Sequence, residues 1–195
     1  AYMREVRTLA DRYGLAIHLD GARVFNAAVA LAVAPSDLVQ DVDSVSFCLS
    51  KGLAAPVGSL VCGSSKFINR ARRQRKMLGG GMRQGGVLAA AGIVALETMV
   101  DRLAEDHANA RRLAEGLARL PGIVLDPAQV STNIVIFQMA PGAPEPGALV
   151  KGLAKRGNKL SPTSGRGLRA VTHLGIEAEE VDFALAAAQD FLQAG

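Results

Sequence analysis

Leu15-Ala16-Ile17-His18-Leu19-Asp20-Gly21-Ala22-Arg23 decides the architecture. Leu15 to Leu19 reads as a short buried strand, and it closes on a polar Asp-Gly turn. Upstream, Met3, Val6, Leu9, Ala10 and Tyr13 recur at steps of three and four, the pattern of an amphipathic helix. Gly14 ends that pattern as a C-cap glycine would. Downstream, a helical stretch with Phe25, Ala28, Val29 and Leu31 is stopped by Ala34-Pro35, and Ser36 and Asp37 can cap a short turn there. Val42 to Leu49 is a second strand, ending on Ser50-Lys51-Gly52, and Gly58 to Cys62 is a third apolar run. Helices alternating with continuous apolar strands predict an α/β layer in which helices cover a mostly parallel sheet.

The pattern changes after Gly79-Gly80-Gly81. From about Gln84 to Leu120 the chain is strongly helical, through Leu88, Ala91, Val94, Ala95, Met99, Leu103, Leu113 and Leu117, until Pro121-Gly122 closes it. One long helix and two helices with a bend both fit this run. Strands then follow at Gly122 to Leu125, Asn133 to Gln138 and Gly167 to Thr172, with helices near Pro146 to Arg156 and Ala178 to Leu192. The expected organisation is the later part of a large α/β domain over residues 1–83, a connecting helical region over 84–120, and a small α+β domain over 121–195. Because the chain opens inside a helical pattern without an initiator Met or a cap, it is expected to begin mid-domain.

Composition narrows the function classes. Hydrophobic residues make up 49% and charged residues 21%, so a packed core is expected rather than disorder. With no Trp and 4% aromatics, that core must be aliphatic. Cys48 and Cys62 sit in apolar runs and read as buried, reduced thiols. No stretch approaches the ~20 apolar residues of a membrane span, and no signal peptide precedes the first element, so the expected location is the cytoplasm. The net charge of +4 comes mostly from Arg70-Ala71-Arg72-Arg73-Gln74-Arg75-Lys76. That segment lacks interleaved aromatics, so a solvated helical face or a local anion site is expected, not a nucleic-acid partner.

Two strands end in complementary chemistry, Asp20 on one and Lys51 on the other. Functional groups gather at the carboxyl ends of parallel strands, so both are expected to face one cleft. A lysine there can attack an aldehyde, and an aspartate can pair with a protonated ring nitrogen. Together they suit pyridoxal phosphate. On spacing alone, an Asp-Gly turn and an exposed lysine remain the alternative.

Longer blocks carry more information. His18-Leu19-Asp20-Gly21-Ala22-Arg23, Ser46-Phe47-Cys48-Leu49-Ser50-Lys51-Gly52-Leu53, Ala55-Pro56-Val57-Gly58-Ser59 and Arg75-Lys76-Met77-Leu78-Gly79-Gly80-Gly81-Met82-Arg83-Gln84 stand in that order. With Leu168-Arg169-Ala170-Val171-Thr172-His173 near the end, the chain resembles the threonine aldolases over essentially its whole length. The resemblance implies fold type I, the fold of aspartate aminotransferase, with pyridoxal phosphate as cofactor and no metal. It implies cleavage of the Cα–Cβ bond of a β-hydroxy-α-amino acid, threonine or allo-threonine giving glycine and acetaldehyde.

Residue by residue, Lys51 matches the lysine that bonds the cofactor aldehyde, and Asp20 matches the partner of the pyridine nitrogen. Arg23 and Arg169 match arginines that hold the substrate carboxylate, which a planar guanidinium grips through two hydrogen bonds. Lys76 and Arg83 match basic positions near the active site, with a cofactor or substrate role and a structural or interface role both open. His18 lies on the strand face of Asp20, where it either orients Asp20 or is a satisfied core histidine. His173 is expected to make a structural hydrogen bond and His107 to lie on the surface. Relatives build their sites between subunits, so a homo-oligomer, dimer or tetramer, is expected, with a small amino acid as substrate and no membrane partner. The family usually has Gly where this chain has Ala54. Its amino-terminal portion, with the phosphate-binding loop and a histidine that stacks on the cofactor, has no counterpart here, so the chain alone is expected to be inactive. Alternatives are a β-eliminating lyase or an aminotransferase on the same core, or a non-catalytic truncated product.

Overall fold

Asp43 determines where the first strand begins. The computed structural model describes residues 2–193, and its first helix, α1, spans Tyr2–Arg12. Gly14, at φ 62°, turns the chain out of that helix, and Leu15 N–H still donates to Ala10 C=O at 2.8 Å. The Asp43 carboxylate then accepts from Ile17 N–H at 2.7 Å and from Arg7 Nη1 at 2.8 Å. Arg7 Nη2 donates to Leu15 C=O at 3.0 Å and meets Asp11 at 2.7 Å. Leu15 C=O and Ile17 N–H are thereby engaged outside the sheet, while Ile17 C=O accepts from Asp43 N–H at 3.0 Å and Ser44 N–H at 3.3 Å, and strand β1 covers His18–Asp20 instead of the expected 15–19.

Helices α2 (Val24–Leu31) and α3 (Pro35–Val39) lead to strand β2 (Ser44–Cys48). This connection is long enough for a crossover, and β1 pairs with β2 in parallel, His18 beside Ser44 and Asp20 beside Ser46. Strand β3 (Ser59–Gly63) departs from the expected parallel direction and runs antiparallel to β2. The reason is length: residues 49–58 are fewer than the dozen or more that a parallel crossover needs. The sheet order is β1-β2-β3. Every residue of β3 is exposed, so Cys62 is an exposed free thiol and Cys48 a half-buried one, a correction to the buried pair.

Helix α4 (Ser65–Met77) is capped by Ser64, whose Oγ accepts from Phe67 N–H at 3.3 Å. The basic segment is a solvated helical face, with no buried residue on α4. Helix α5 (Gly86–Thr98) and helix α6 (Leu103–Leu117) are separate, and the chain divides into two compact units between Arg102 and Leu103. That division falls inside the segment 84–120.

The second unit is built around an antiparallel sheet of order β4-β5-β7-β6: β4 (Ile123–Val124), β5 (Ile134–Met139), β6 (Ser161–Pro162) and β7 (Gly167–Val171). Strand β6 is too short to show alternation and was not legible in the sequence. In β5, Val135, Phe137 and Met139 are buried while Ile136 and Gln138 are exposed, so one sheet face carries the core. Helices α6, α7 (Pro146–Ala154) and α8 (Ala178–Gln193) contribute the rest of it, including Ala110, Ala114, Leu149, Leu153, Ala187 and Ala188. Close helix approach needs glycine at two points: a Cβ on Gly116 would collide with Leu185, and one on Gly152 with Phe191. His107 is half-buried rather than on the surface, and burial lowers its pKa. No helix among the described residues is long and apolar enough to cross a membrane.

Arg166 holds the Pro/Gly-rich loop before α7. Its Nε donates to Met139 C=O at 3.0 Å and its Nη2 to Ala143 C=O at 2.7 Å and Pro144 C=O at 3.1 Å, while Nη1 pairs with Glu145. Arg166→Ala leaves these carbonyls unpaired and is expected to lower unfolding stability by about 2–3 kcal/mol, measured by urea titration. Asp43 supplies a pH test. The Ile17 N–H, then the Arg7 guanidinium, hold its carboxyl below the ordinary range. A depressed carboxyl stabilises the fold above its unfolded pKa of about 4, and the contribution is lost as pH falls through the folded value. Melting temperature should therefore drop below about pH 4, with a smaller acid-induced drop in Asp43→Ala.

Candidate active site

Parallel pairing of β1 with β2 puts the carboxyl ends of both strands at one edge of the sheet, and chemistry-bearing residues follow at each end. Gly21 is the seat of this arrangement. Its N–H donates to Ser46 C=O at 2.7 Å, and a Cβ there would stand 2.9 Å from Val45 Cγ2 and 3.0 Å from the Ser46 oxygen. No side chain fits without displacing β2. The chain then turns at once into α2, with Val24 N–H donating to Gly21 C=O at 2.8 Å. Asp20 is exposed, and its Oδ1 accepts from Ala22 N–H at 3.1 Å, a local bond that fixes the carboxylate at the turn. Arg23 is the N-cap residue of α2 and is half-buried.

Lys51 stands in a loop fastened at both ends. Leu49 and Ser50 N–H groups donate to Gly58 C=O at 3.0 and 3.3 Å, and Ala55 N–H to Leu49 C=O at 3.0 Å. Leu49, Leu53 and Ala55 are buried beneath it. Ala54 N–H donates to Lys51 C=O at 2.9 Å. The backbone is thus fixed while the Lys51 side chain remains exposed, not screened behind the strand. Ala54 closes the loop at φ 57°, left-handed backbone that favours glycine.

His18 projects on the face shared with Asp20, and its Nδ1 lies 2.9 Å from Ser44 Oγ. Ser44 is buried, and as the β2 residue beside His18 it fixes that ring. Sequence reading missed Ser44, because only the register of β1 on β2 reveals it. Lys76 and Arg83 are exposed around the carboxyl end of α4. Gly80 N–H donates to Arg75 C=O at 2.8 Å, and the Lys76 side chain lies along Gly81, whose added Cβ would be 3.1 Å from Lys76 Cδ. The glycine run therefore makes a tight turn that leaves room for Lys76.

Arg169 belongs to the second unit. It is half-buried in β7, with Ile136 opposite on β5 and Ser161 opposite on β6. Directly opposed residues share a sheet face, so Arg169 is on the face away from the core, beside the exposed Ile136. His173 makes a local bond, Nδ1 to Leu174 C=O at 2.8 Å. The structure thus places Asp20, Arg23 and Lys51 after the carboxyl ends of β1 and β2, with His18 at the first position of β1, Lys76 in the last turn of α4 and Arg83 six residues beyond that helix, and it sets Arg169 on the second unit's open face.

Known proteins are similar to this chain. A family model described as beta-eliminating lyase matches residues 1–140. The low-specificity L-threonine aldolase 1 of Arabidopsis thaliana is 44% identical over 189 residues, covering 96% of this chain and 53% of that protein. The low specificity L-threonine aldolase of Escherichia coli K12 is 41% identical over 180 residues, covering 92% and 52%. This chain therefore spans about half the length of these curated relatives. The solved threonine aldolase of Leishmania major superposes with a TM-score of 0.73 at 18% identity, covering 97% of this chain and 56% of that one. This likeness shows the fold, the fold type I architecture expected.

Ala54 offers a direct test of loop strain. Ala54→Gly is expected to raise unfolding stability by about 1 kcal/mol, because a left-handed alanine costs roughly 1–2 kcal/mol that glycine does not incur. The midpoint of chemical unfolding reads this out.

Proposed function

The chain belongs to the beta-eliminating lyase family, and from that premise we propose that the protein containing it is a pyridoxal phosphate-dependent lyase cleaving the Cα–Cβ bond of β-hydroxy-α-amino acids. L-threonine and L-allo-threonine are the proposed substrates, and glycine and acetaldehyde the products. One observation carries the reading: parallel β1 and β2 end at one sheet edge in an exposed carboxylate, Asp20, and an exposed amine, Lys51. The relatives named as L-threonine aldolases, at 41% and 44% identity, support the choice of reaction.

The residues present fit this cofactor. Lys51 offers a primary amine on a rigid backbone, able to bond an aldehyde carbon. Asp20 offers an acceptor for a protonated ring nitrogen, and its bond from Ala22 N–H keeps the carboxylate in place. When bound, pyridoxal phosphate supplies an electron sink for the pair left on Cα. Arg23, at the start of α2, offers a guanidinium to hold the substrate carboxylate and so orient the bond to be broken, and Arg169 is a second candidate for that role by the resemblance of its block. His18 steadies the Asp20 face through Ser44, and Lys76 and Arg83 supply positive charge to an anionic group of cofactor or substrate.

The working protein is a homo-oligomer, a dimer or tetramer, and cytoplasmic. Helix α5 supports assembly: it is apolar up to Glu97 and Thr98 at its end, yet only Gly92 and Ala95 are buried, leaving Val87, Ile93 and Val94 exposed. The free thiols Cys48 and Cys62 suit a reducing compartment. A second reading, β-elimination on the same core, draws on the description of the family model.

The test is product analysis with the protein that contains this chain, given L-threonine and L-allo-threonine. Glycine and acetaldehyde are expected in equal amounts, with activity reduced by about a thousandfold or more in Lys51→Ala. Ammonia and a keto acid without glycine would instead establish elimination, and no product from either amino acid would sink both readings.

A further inference from the structure

Asp106, Asn133 and Thr172 are 0%, 1% and 2% exposed, and they are the buried polar residues of the second unit among those described. The core around them is aliphatic, so a polar group there costs free energy unless it is hydrogen-bonded. All three meet at the carboxyl end of β7. Thr172 N–H donates to Asn133 C=O at 3.1 Å, and Asn133 Nδ2 donates to Thr172 C=O at 2.8 Å. These bonds carry the β5–β7 pairing one residue past Val171. Thr172 Oγ1 then donates at 2.6 Å to the Asp106 C=O, in the first turn of α6. A valine would fill the same space without reaching the helix. What the hydroxyl adds is a tie from the strand end to α6, and buried polar ties of this kind select one arrangement of the elements they join.

That tie bears on Arg169, three residues earlier on the same strand. Leu168, Ala170 and Thr172 are buried on the core side, and Arg169 stands on the opposite face. It is half-buried and has no ion-pair partner among the described residues. The other end of β7 is fastened too: Met139 N–H donates to Arg166 C=O at 3.0 Å, and Arg166 Nε donates back to Met139 C=O at 3.0 Å. Arg169 is midway between the two fastenings. Pinning the strand end onto α6 sets the height of its guanidinium above the open face. We propose that Thr172 is a positioning residue for Arg169, fixing where that guanidinium meets the substrate carboxylate. The inference rests on the carboxylate-binding role given to Arg169 under the proposed function. A displacement of about 1 Å at such a contact can cost up to about a hundredfold in rate.

The test is steady-state kinetics with L-threonine on the cofactor-loaded protein that contains this chain. The substrate carboxylate keeps its charge throughout the reaction, so a loosened grip falls on KM more than on kcat. Thr172→Val is expected to raise KM about tenfold with kcat within about threefold of wild type, while Thr172→Ser, which keeps the hydroxyl, stays near wild type. Added to Arg169→Ala, Thr172→Val should lower kcat/KM no further, because its effect runs through the guanidinium. Wild-type KM in a folded Thr172→Val, a loss confined to kcat, or an additive loss on Arg169→Ala would overturn the positioning role. Unchanged kinetics in Arg169→Ala would instead remove the carboxylate-binding role of Arg169, and this inference with it. Should the valine methyl, pressed on the Asp106 carbonyl, prevent folding, Thr172→Ala removes the same donor without that contact and decides by the same split.

Discussion

The hydrogen bond from Gly21 N–H to Ser46 C=O joins the end of β1 to the middle of β2, and the first unit is organised around it. Its length of 2.7 Å is possible because residue 21 has no Cβ. Any side chain there would press on Val45 and on the Ser46 oxygen itself. With β1 held this close, Asp20 turns off the sheet edge and Arg23 starts α2. The loop that follows β2 presents Lys51 at that same edge. A two-strand parallel register thus converts residues 31 positions apart in sequence into neighbours in topology.

The two units are stabilised differently. In the second, a one-sided antiparallel sheet carries a contiguous core from Ala110 to Ala188, and three helices contribute to it. Burial in the first is scattered over mostly small residues, Ala10, Ala28, Val45 and Ala55 among them, and its third strand is wholly exposed. Polar fastening is correspondingly prominent there. The Arg7–Asp43–Ile17 network joins α1 to the start of the sheet, and the Gly58 carbonyl fastens the lysine loop. The same rigidity suits the role proposed for Lys51, because an amine on a fixed backbone has little orientation left to lose.

Much of the candidate site was legible without coordinates. Asp20 and Lys51 each follow an apolar run, and a position at a strand end is what marks them as candidates. Arg169 was legible only through the resemblance of its surrounding block, since an arginine in a short strand has no special pattern. Ser44, β6 and the antiparallel direction of β3 were not legible. A serine partner, a two-residue strand and a strand direction all depend on what lies beside a segment, and hydrophobic periodicity reports only its own two faces.

Sequence alone determined the element types, because periodicities of two and 3.6 and the glycine and proline stops act over a few residues. It also determined the chemical inventory, an amine, a carboxylate and two arginines. Tertiary structure decided what these local signals could not reach. It moved β1 to His18–Asp20, because the Asp43 carboxylate captures Ile17 N–H from 26 residues away. It set His18 on Ser44, and it brought Leu185 and Phe191 of α8 onto the glycines of α6 and α7. Each of these follows from contacts between segments distant in the chain, which packing selects and local propensity does not.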